Sequence, residues 1–131
     1  MQNVSKTLFF TLCSRANDPN FKDDLAEVIL ANHPELKTYA PNLLTQKLIV
    51  HRAQFFDHQI QRVMSDSSKN FVLVNLGGGL CSRFNRLKNF SKTFHLDLPE
   101  AINLVKKYFP VLPDHLIEAD LNDLKWTQKL E

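Results

Sequence analysis

The stretch that decides the fold is FVLVNLGGG, residues 71–79. Its first six residues form a continuous apolar run, which is typical of a parallel-sheet strand buried on both faces. All three glycines of the chain follow directly, and glycine permits positive φ and a close approach of a ligand to the backbone. A helix is predicted from Leu80 to Asn89. Strand, glycine turn and helix N-terminus together indicate a binding place for a nucleotide-type ligand, although a tight turn that needs small residues explains the glycines equally well.

Two more strands are predicted downstream of the glycine turn. The first covers residues 93–96 and ends at Asp97, and the second covers residues 115–119 and ends at Asp120. A helix is predicted between them, over Pro99–Phe109, because proline suits the first helical turn. The order strand, helix, strand, helix, strand predicts an α/β fold with a parallel Rossmann-like half-sheet.

The residues before this half-sheet have helical patterning. Apolar spacing and helix-stop signals predict a loop over Glu35–Asn42 and three helices, over Lys6–Arg15, Asp23–Asn32 and Asn42–Met64. We therefore interpret residues 1–131 as a single, incomplete domain. Residues 1–68 form a helical N-terminal cap, and residues 69–131 form the cofactor-binding half.

Composition is that of an ordinary globular protein, with 44% apolar and 23% charged residues. The net charge of +2, without a long basic run, argues against a nucleic-acid partner. No segment approaches the roughly 18 apolar residues of a membrane helix, so no membrane partner is predicted. Cys13 and Cys81 lie far apart and match no metal-binding spacing, so we expect no metal site and a cytoplasmic location.

The acidic residues at the predicted strand ends are candidate ligand contacts. Asp97 stands twenty residues after Gly77, where an acid in nucleotide-binding α/β folds hydrogen-bonds ribose hydroxyls; the alternative is a helix N-cap. Asp120 is either a residue on the adenine side of the site, or a turn residue or the N-cap of a following helix. The third glycine of the dinucleotide fingerprint is replaced by Ser82, which favours S-adenosylmethionine over NAD.

Arg52 is a candidate for the other end of the ligand. Leu48, Ile49, Phe55 and Phe56 lie three or four residues from it and share its face of the predicted helix. A guanidinium on an apolar face needs an acidic partner. The methionine carboxylate of the cofactor is one such partner, and an intramolecular salt bridge or a snorkelling side chain is the alternative.

Taken in order, these segments resemble the leucine carboxyl methyltransferase family, which includes the polyketide O-methyltransferases. The resemblance runs from about residue 7 to the last residue. It is carried by Arg15-Ala16, FKDDLA (21–26), Arg52 with Asp57, VNLGGGL (74–80), RFNRL (83–87), DLPE (97–100) and Asp120-Leu121.

The resemblance implies an S-adenosyl-L-methionine-dependent O-methyltransferase that acts on a small-molecule hydroxyl or on a small-molecule or protein carboxylate. Carried over, Arg52 holds the cofactor carboxylate with help from Arg15, Gly77 and Gly79 line the methionine part, and Asp97 holds the ribose. Asp120 and Leu121 border the adenine. No catalytic residue is identified.

The chain departs from the family pattern at three places. Cys81-Ser82 replaces an Asp-Thr pair, and His95 replaces an acid two residues before Asp97. Family members also continue beyond the position of Glu131, which implies a truncated methyltransferase fold, the N-terminal half only. The first strand should then have an open edge, which predicts self-association or a complementary C-terminal half. Two alternatives remain: a catalytically inactive cofactor-binding remnant or interaction domain, and a nicotinamide-binding half-domain.

Overall fold

The computed structural model describes residues 3–66 and 68–131, as a mixed α/β arrangement with one three-stranded parallel sheet. The helices are α1 (Asn3–Asn17), α2 (Asp24–Asn32), α3 (Leu43–Val63), α4 (Arg83–Arg86) and α5 (Pro99–Tyr108). The strands are β1 (Phe71–Leu76), β2 (Phe90–Asp97) and β3 (His115–Glu118). Two 3-10 segments cover Pro34–Tyr39 and Leu124–Leu130.

The strands lie in the order β1-β2-β3, and both pairings are parallel. Leu76 is opposite Leu96, and Asp97 is opposite Glu118. The carboxyl ends of all three strands therefore lie at one edge of the sheet, as the sequence predicts. β2 begins three residues earlier than expected, at Phe90.

The predicted helices α1, α2, α3 and α5 are confirmed, with ends that follow from local chemistry. Asp23 caps α2 by accepting a hydrogen bond from the Ala26 N–H, and Asn42 caps α3 by accepting one from the Thr45 N–H. A main hydrophobic cluster joins α1, α2 and α5 through buried side chains that include Phe9, Leu12, Ile29, Leu80, Val105 and Phe109. Leu80 brings the glycine turn into this core.

The helix predicted over Leu80–Asn89 is wrong in length, because only α4 is helical there. The Cys81 N–H bonds to the Gly78 carbonyl and closes a turn ahead of the helix. Asn89 adopts a φ of 72° and directs the chain into β2. A single-turn helix has little macrodipole, so its N-terminus contributes little to binding. The expected loop over 35–42 is also partly wrong, since a 3-10 segment forms around buried Leu36.

β1 is less buried than a strand covered on both faces. Val72 is 50% exposed and Leu76 is 46% exposed, because the face of β1 that carries them is only partly covered, whereas Leu73 on the other face is buried. Over residues 3–66 and 68–131, no helix is both long enough and apolar enough to cross a membrane.

Candidate functional site

A cavity of about 610 Å³ opens where β1 meets the glycine turn. Ligand sites for small molecules fall in this size range. Its walls come from α1, α3, β1 and the segment that follows β1. The lining residues are Thr7, Leu8, Thr11, Arg15, Ile49, Arg52, Ala53, Phe56, residues 75–81, Arg83 and Arg86.

The three glycines form one wall, and side chains are disfavoured there by backbone conformation at Gly77 and Gly79 and by close packing at Gly78. Gly77 and Gly79 adopt φ values of 59° and 51°, a region that L side chains rarely occupy. A Cβ at Gly78 would lie 2.4 Å from the His95 ring, and one at Gly79 would lie 2.7 Å from Leu8. The turn therefore presents its backbone to the cavity, and the His95 ring packs closely against it at Gly78.

Asp97 lies directly against this turn. Its Oδ2 accepts a hydrogen bond of 2.7 Å from the Gly79 N–H, and its Oδ1 accepts one of 2.7 Å from the Leu98 N–H. The N-cap of α5 is Leu98, and no side chain caps that helix, so the interpretation of Asp97 as the helix cap is wrong. A carboxylate has about four acceptor positions, so two remain for further donors. Asp97 is not among the cavity-lining residues and borders the cavity through Gly79.

His95 supports the same turn from the sheet. One ring nitrogen, Nε2, lies 3.0 Å from the Gly79 carbonyl, and Nδ1 lies 3.4 Å from the Asn75 amide nitrogen. Burial lowers the pKa of His95, and the Gly79 hydrogen bond and the Asp97 charge only partly oppose this. The imidazole is therefore neutral near pH 7, with Nε2–H donating to Gly79 and Nδ1 accepting from Asn75.

Arg52 reaches the cavity from α3 without an internal partner. It is exposed, and it forms no ion pair or hydrogen bond with the residues that the structure describes. The expectation that its helix face is buried is wrong, since Leu48, Phe55 and Phe56 are each at least half exposed. Arg52 is thus a cation at the cavity wall that is available for a ligand.

Arg15 also lines the cavity, but two of its guanidinium nitrogens bind other protein groups. Nε bonds to Asp23 Oδ2 at 2.9 Å, and Nη2 donates to the Leu80 carbonyl. The side chain is 6% exposed. Arg15 therefore links α1 to the N-cap of α2 and to Leu80 after the glycine turn. Its positive charge at the cavity is partly neutralised by Asp23.

A second aspartate, Asp57, clamps α4 onto α3. Arg86 binds it through two nitrogens at 3.0 and 3.1 Å, and Arg83 Nε binds it at 2.7 Å. Arg86 also reaches Asp23 at 3.1 Å, and the Ser82 hydroxyl donates to Asp23. The sequence does not predict this network, although Asp57 and the RFNRL segment (83–87) both belong to the family resemblance.

The network lowers the pKa of two acidic groups. Burial alone would raise the pKa of Asp23, but Arg15, the Ser82 hydroxyl and Arg86 hold it below its ordinary value. Burial would likewise raise the pKa of the Cys81 thiol, but the guanidinium groups of Arg15, Arg83 and Arg86 lower it. Asp23 is therefore ionised near pH 7. The arginines that line the cavity favour negative charge there.

The structure separates the last two predicted site residues from the cavity. Asp120 accepts hydrogen bonds from the backbone and side-chain nitrogens of Asn122, both at 2.9 Å, so the interpretation as a turn residue fits the structure. Leu121 lies near the turn, with Cδ1 3.9 Å from the Cβ position that a side chain at Gly77 would occupy. Neither residue lines the cavity.

Within residues 3–66 and 68–131, no group of three or more His, Cys, Asp or Glu residues is arranged to hold a metal ion.

No protein-family model matches the chain, and no curated protein is significantly similar to it.

Proposed function

We propose that this cavity binds S-adenosyl-L-methionine and that the chain belongs to an O-methyltransferase acting on a carboxylate or a small-molecule hydroxyl. The observation that carries the proposal is the contact between Asp97 and the Gly79 N–H, which brings a strand-end carboxylate against a glycine turn at the edge of a parallel sheet. In this proposal the sheet and its helices are a Rossmann-like half, and residues 1–68 are a cap over it.

The cavity has a candidate binding group for the methionine end of the cofactor and another for its ribose. Arg52 would hold the methionine carboxylate, because it is the cavity arginine that has no protein partner among the described residues. Gly77 and Gly79 would contact the methionine chain through their backbone. The two open acceptor positions of Asp97 would receive the ribose hydroxyls.

The bound cofactor supplies an already activated methyl group, so the protein contributes mainly positioning and electrostatics. Four arginines and no carboxylate line the cavity, and the two ion-paired aspartates behind them offset only part of that charge. This excess suits a carboxylate acceptor. It also disfavours the positive sulfonium of the cofactor relative to its neutral thioether product.

Calorimetric titration with S-adenosylhomocysteine, S-adenosylmethionine and NAD tests the proposal. We expect both adenosyl ligands to bind, the homocysteine form several-fold more tightly because it lacks the sulfonium charge. Binding of NAD alone would overturn the proposal.

A second candidate is a nicotinamide-binding half-domain, which the cationic lining favours because NAD carries a pyrophosphate. Against it, the third fingerprint position is Ser82, whose hydroxyl is bonded to Asp23. If none of the three ligands binds, the remaining function is a non-catalytic interaction domain.

A further inference from the structure

Arg83 is a cavity arginine that the protein holds in place but uses only in part. Its Nε donates a 2.7 Å hydrogen bond to Oδ1 of Asp57. Its guanidinium carbon lies over the Phe56 ring, 5.9 Å from the ring centre, which is a cation–π distance. The side chain is only 15% exposed. These contacts restrict the orientation of the guanidinium, in contrast to that of the exposed Arg52.

The terminal nitrogens of Arg83, Nη1 and Nη2, have no hydrogen-bond partner among residues 3–66 and 68–131. Arg86 differs, since all three of its guanidinium nitrogens bind Asp57, Asp23 or Ser82. A guanidinium whose Nε is occupied can still present Nη1 and Nη2 side by side to the two oxygens of a carboxylate. Arg83 lines the cavity, so it has one bidentate anion-binding edge left for a ligand there.

The ion pairs of the described residues do not balance the charge around Arg83. Arg15, Arg83 and Arg86 share only two carboxylates, those of Asp23 and Asp57. The Asp57 oxygen that Arg83 binds also accepts a hydrogen bond from Arg86. One positive charge of the three is therefore left over, in addition to the charge of the unpaired Arg52.

We propose that Arg83 forms a second anion subsite of the cavity, separate from Arg52, and that it binds the carboxylate of a small organic acid with an apolar body. A monocarboxylate fits because one positive charge is left over beside Arg83 and because its two oxygens match the two free nitrogens. Phe56, whose ring Arg83 contacts, and Ile49 line the same cavity. They give the apolar part of the acid a surface to pack on.

The two arginines thus divide the cavity between two ligands. Binding of an acid to Arg83 depends only on the contacts that hold this side chain and on its free nitrogens. The role of that acid as the methyl acceptor rests on the proposed function, in which Arg52 holds the cofactor. The two claims are therefore tested by different ligands.

Phenylacetate and its neutral analogue phenylacetamide test the subsite, because they differ in charge but have nearly the same shape. Titrations of the full chain followed by heteronuclear NMR at constant ionic strength give both dissociation constants. We expect the unmodified chain to bind phenylacetate about tenfold more tightly than phenylacetamide. Arg83→Gln should remove this preference. Equal binding of the two probes by the unmodified chain, or a preference that persists in Arg83→Gln, would overturn the proposal.

Arg83→Lys covers the case in which Arg83→Gln does not fold. A lysine can keep the ion pair with Asp57 but has no pair of planar nitrogens left for the ligand, so the preference should again be lost. Arg62→Gln, at an exposed arginine outside the cavity, is the matched control. A preference that persists in Arg83→Lys would overturn the proposal.

Arg52→Ala separates the two subsites. It should keep the preference for phenylacetate while it loses affinity for S-adenosylhomocysteine. Loss of the preference in Arg52→Ala but not in the Arg83 variants would assign the acid to Arg52 and overturn the proposal. If the unmodified chain prefers phenylacetate but binds no S-adenosylhomocysteine, only the proposed function fails.

Discussion

The backbone N–H of Gly79 donates a 2.7 Å hydrogen bond to Oδ2 of Asp97. On the same strand, His95 binds the carbonyl of Gly79. Both polar groups of one glycine are thus held by side chains two residues apart on one face of β2. The turn that walls the cavity is therefore fixed before any ligand arrives.

Arg52→Ala should weaken binding of S-adenosylhomocysteine by about tenfold or more, because a charge-assisted hydrogen bond to the ligand carboxylate is lost. Its melting temperature should stay close to that of the unmodified chain, since Arg52 has no ion pair with the described residues. The matched control is Arg62→Ala, an exposed arginine on α3 outside the cavity. Calorimetry showing equal affinity for the two variants would remove Arg52 from the site.

Asp57→Asn should lower the free energy of unfolding by about 3 kcal/mol, because Arg83 and Arg86 would lose the carboxylate that both of them bind. Urea unfolding monitored by circular dichroism measures this. Asp24→Asn removes an exposed ion pair with Lys22 and should leave stability nearly unchanged. Similar free energies of unfolding for the two variants would contradict the role of Asp57 in joining α4 to α3.

Stability should fall as the pH drops below about 6.5, the ordinary pKa of histidine. The pKa of His95 is lower in the folded chain than in the unfolded chain, so the unfolded chain binds more protons in this window. The stability that neutral His95 contributes is fully present above the pKa of the unfolded chain. It is lost as the pH falls toward the lower pKa of the folded chain. Urea titrations at pH 7.5 and 5.5 measure the difference.

The control for this pH dependence is His95→Gln, whose side chain does not titrate. Its stability should change less between the two pH values than that of the unmodified chain. Asp23, whose pKa is lowered from 3.8, does not interfere because it titrates in more acidic solution. An equal slope for both proteins would assign the effect to other groups.

Gly78→Ala should destabilise the fold by about 1–3 kcal/mol, because the added Cβ overlaps the His95 ring. Gly78 does not need a positive φ, so the loss comes from the overlap alone. Adding His95→Ala should recover part of the stability, measured as a double-mutant cycle. Additive losses in the cycle would show that the ring is not the obstacle.

Cys81 should react with iodoacetamide much faster than Cys13. Cys81 lines the cavity, and nearby arginines lower the pKa of its thiol. Cys13 is fully buried, and burial raises its pKa to about 11. Mass spectrometry of time points gives both rates, and a bound cavity ligand should slow only the reaction of Cys81. Faster labelling of Cys13 would contradict the placement.

Local patterns predicted most of the fold because each depends on neighbouring residues. The apolar run 71–76 and Pro99 at the start of α5 act within one or two turns. Asp23 and Asn42, which were predicted as first helical residues, are the N-caps of their helices in the structure. The length of α4 could not be predicted in this way, since tertiary packing of Leu80 and Leu87 decides how much of that segment is helical.

The site was predictable only where a motif carried its own spacing. The glycines, Asp97 and Arg52 were identified, and the structure places Arg52 and the glycines on one cavity with Asp97 against its wall. The Asp57 clamp joins residues that are 26 and 29 positions apart, and sequence spacing does not specify such pairs. Asp120 was predicted as a site residue from its strand-end position alone. In the structure its carboxylate accepts a hydrogen bond from the Asn122 N–H and stabilises a turn instead.

The overlap between position 78 and the ring of position 95 also restricts how this protein can evolve. As long as residue 95 is a histidine or another ring-bearing residue, any replacement of Gly78 that adds a side chain is penalised. A change to a small residue at 95 would remove that penalty and open position 78 to variation. Among natural relatives the two positions should therefore covary, with substitutions at 95 appearing before those at 78.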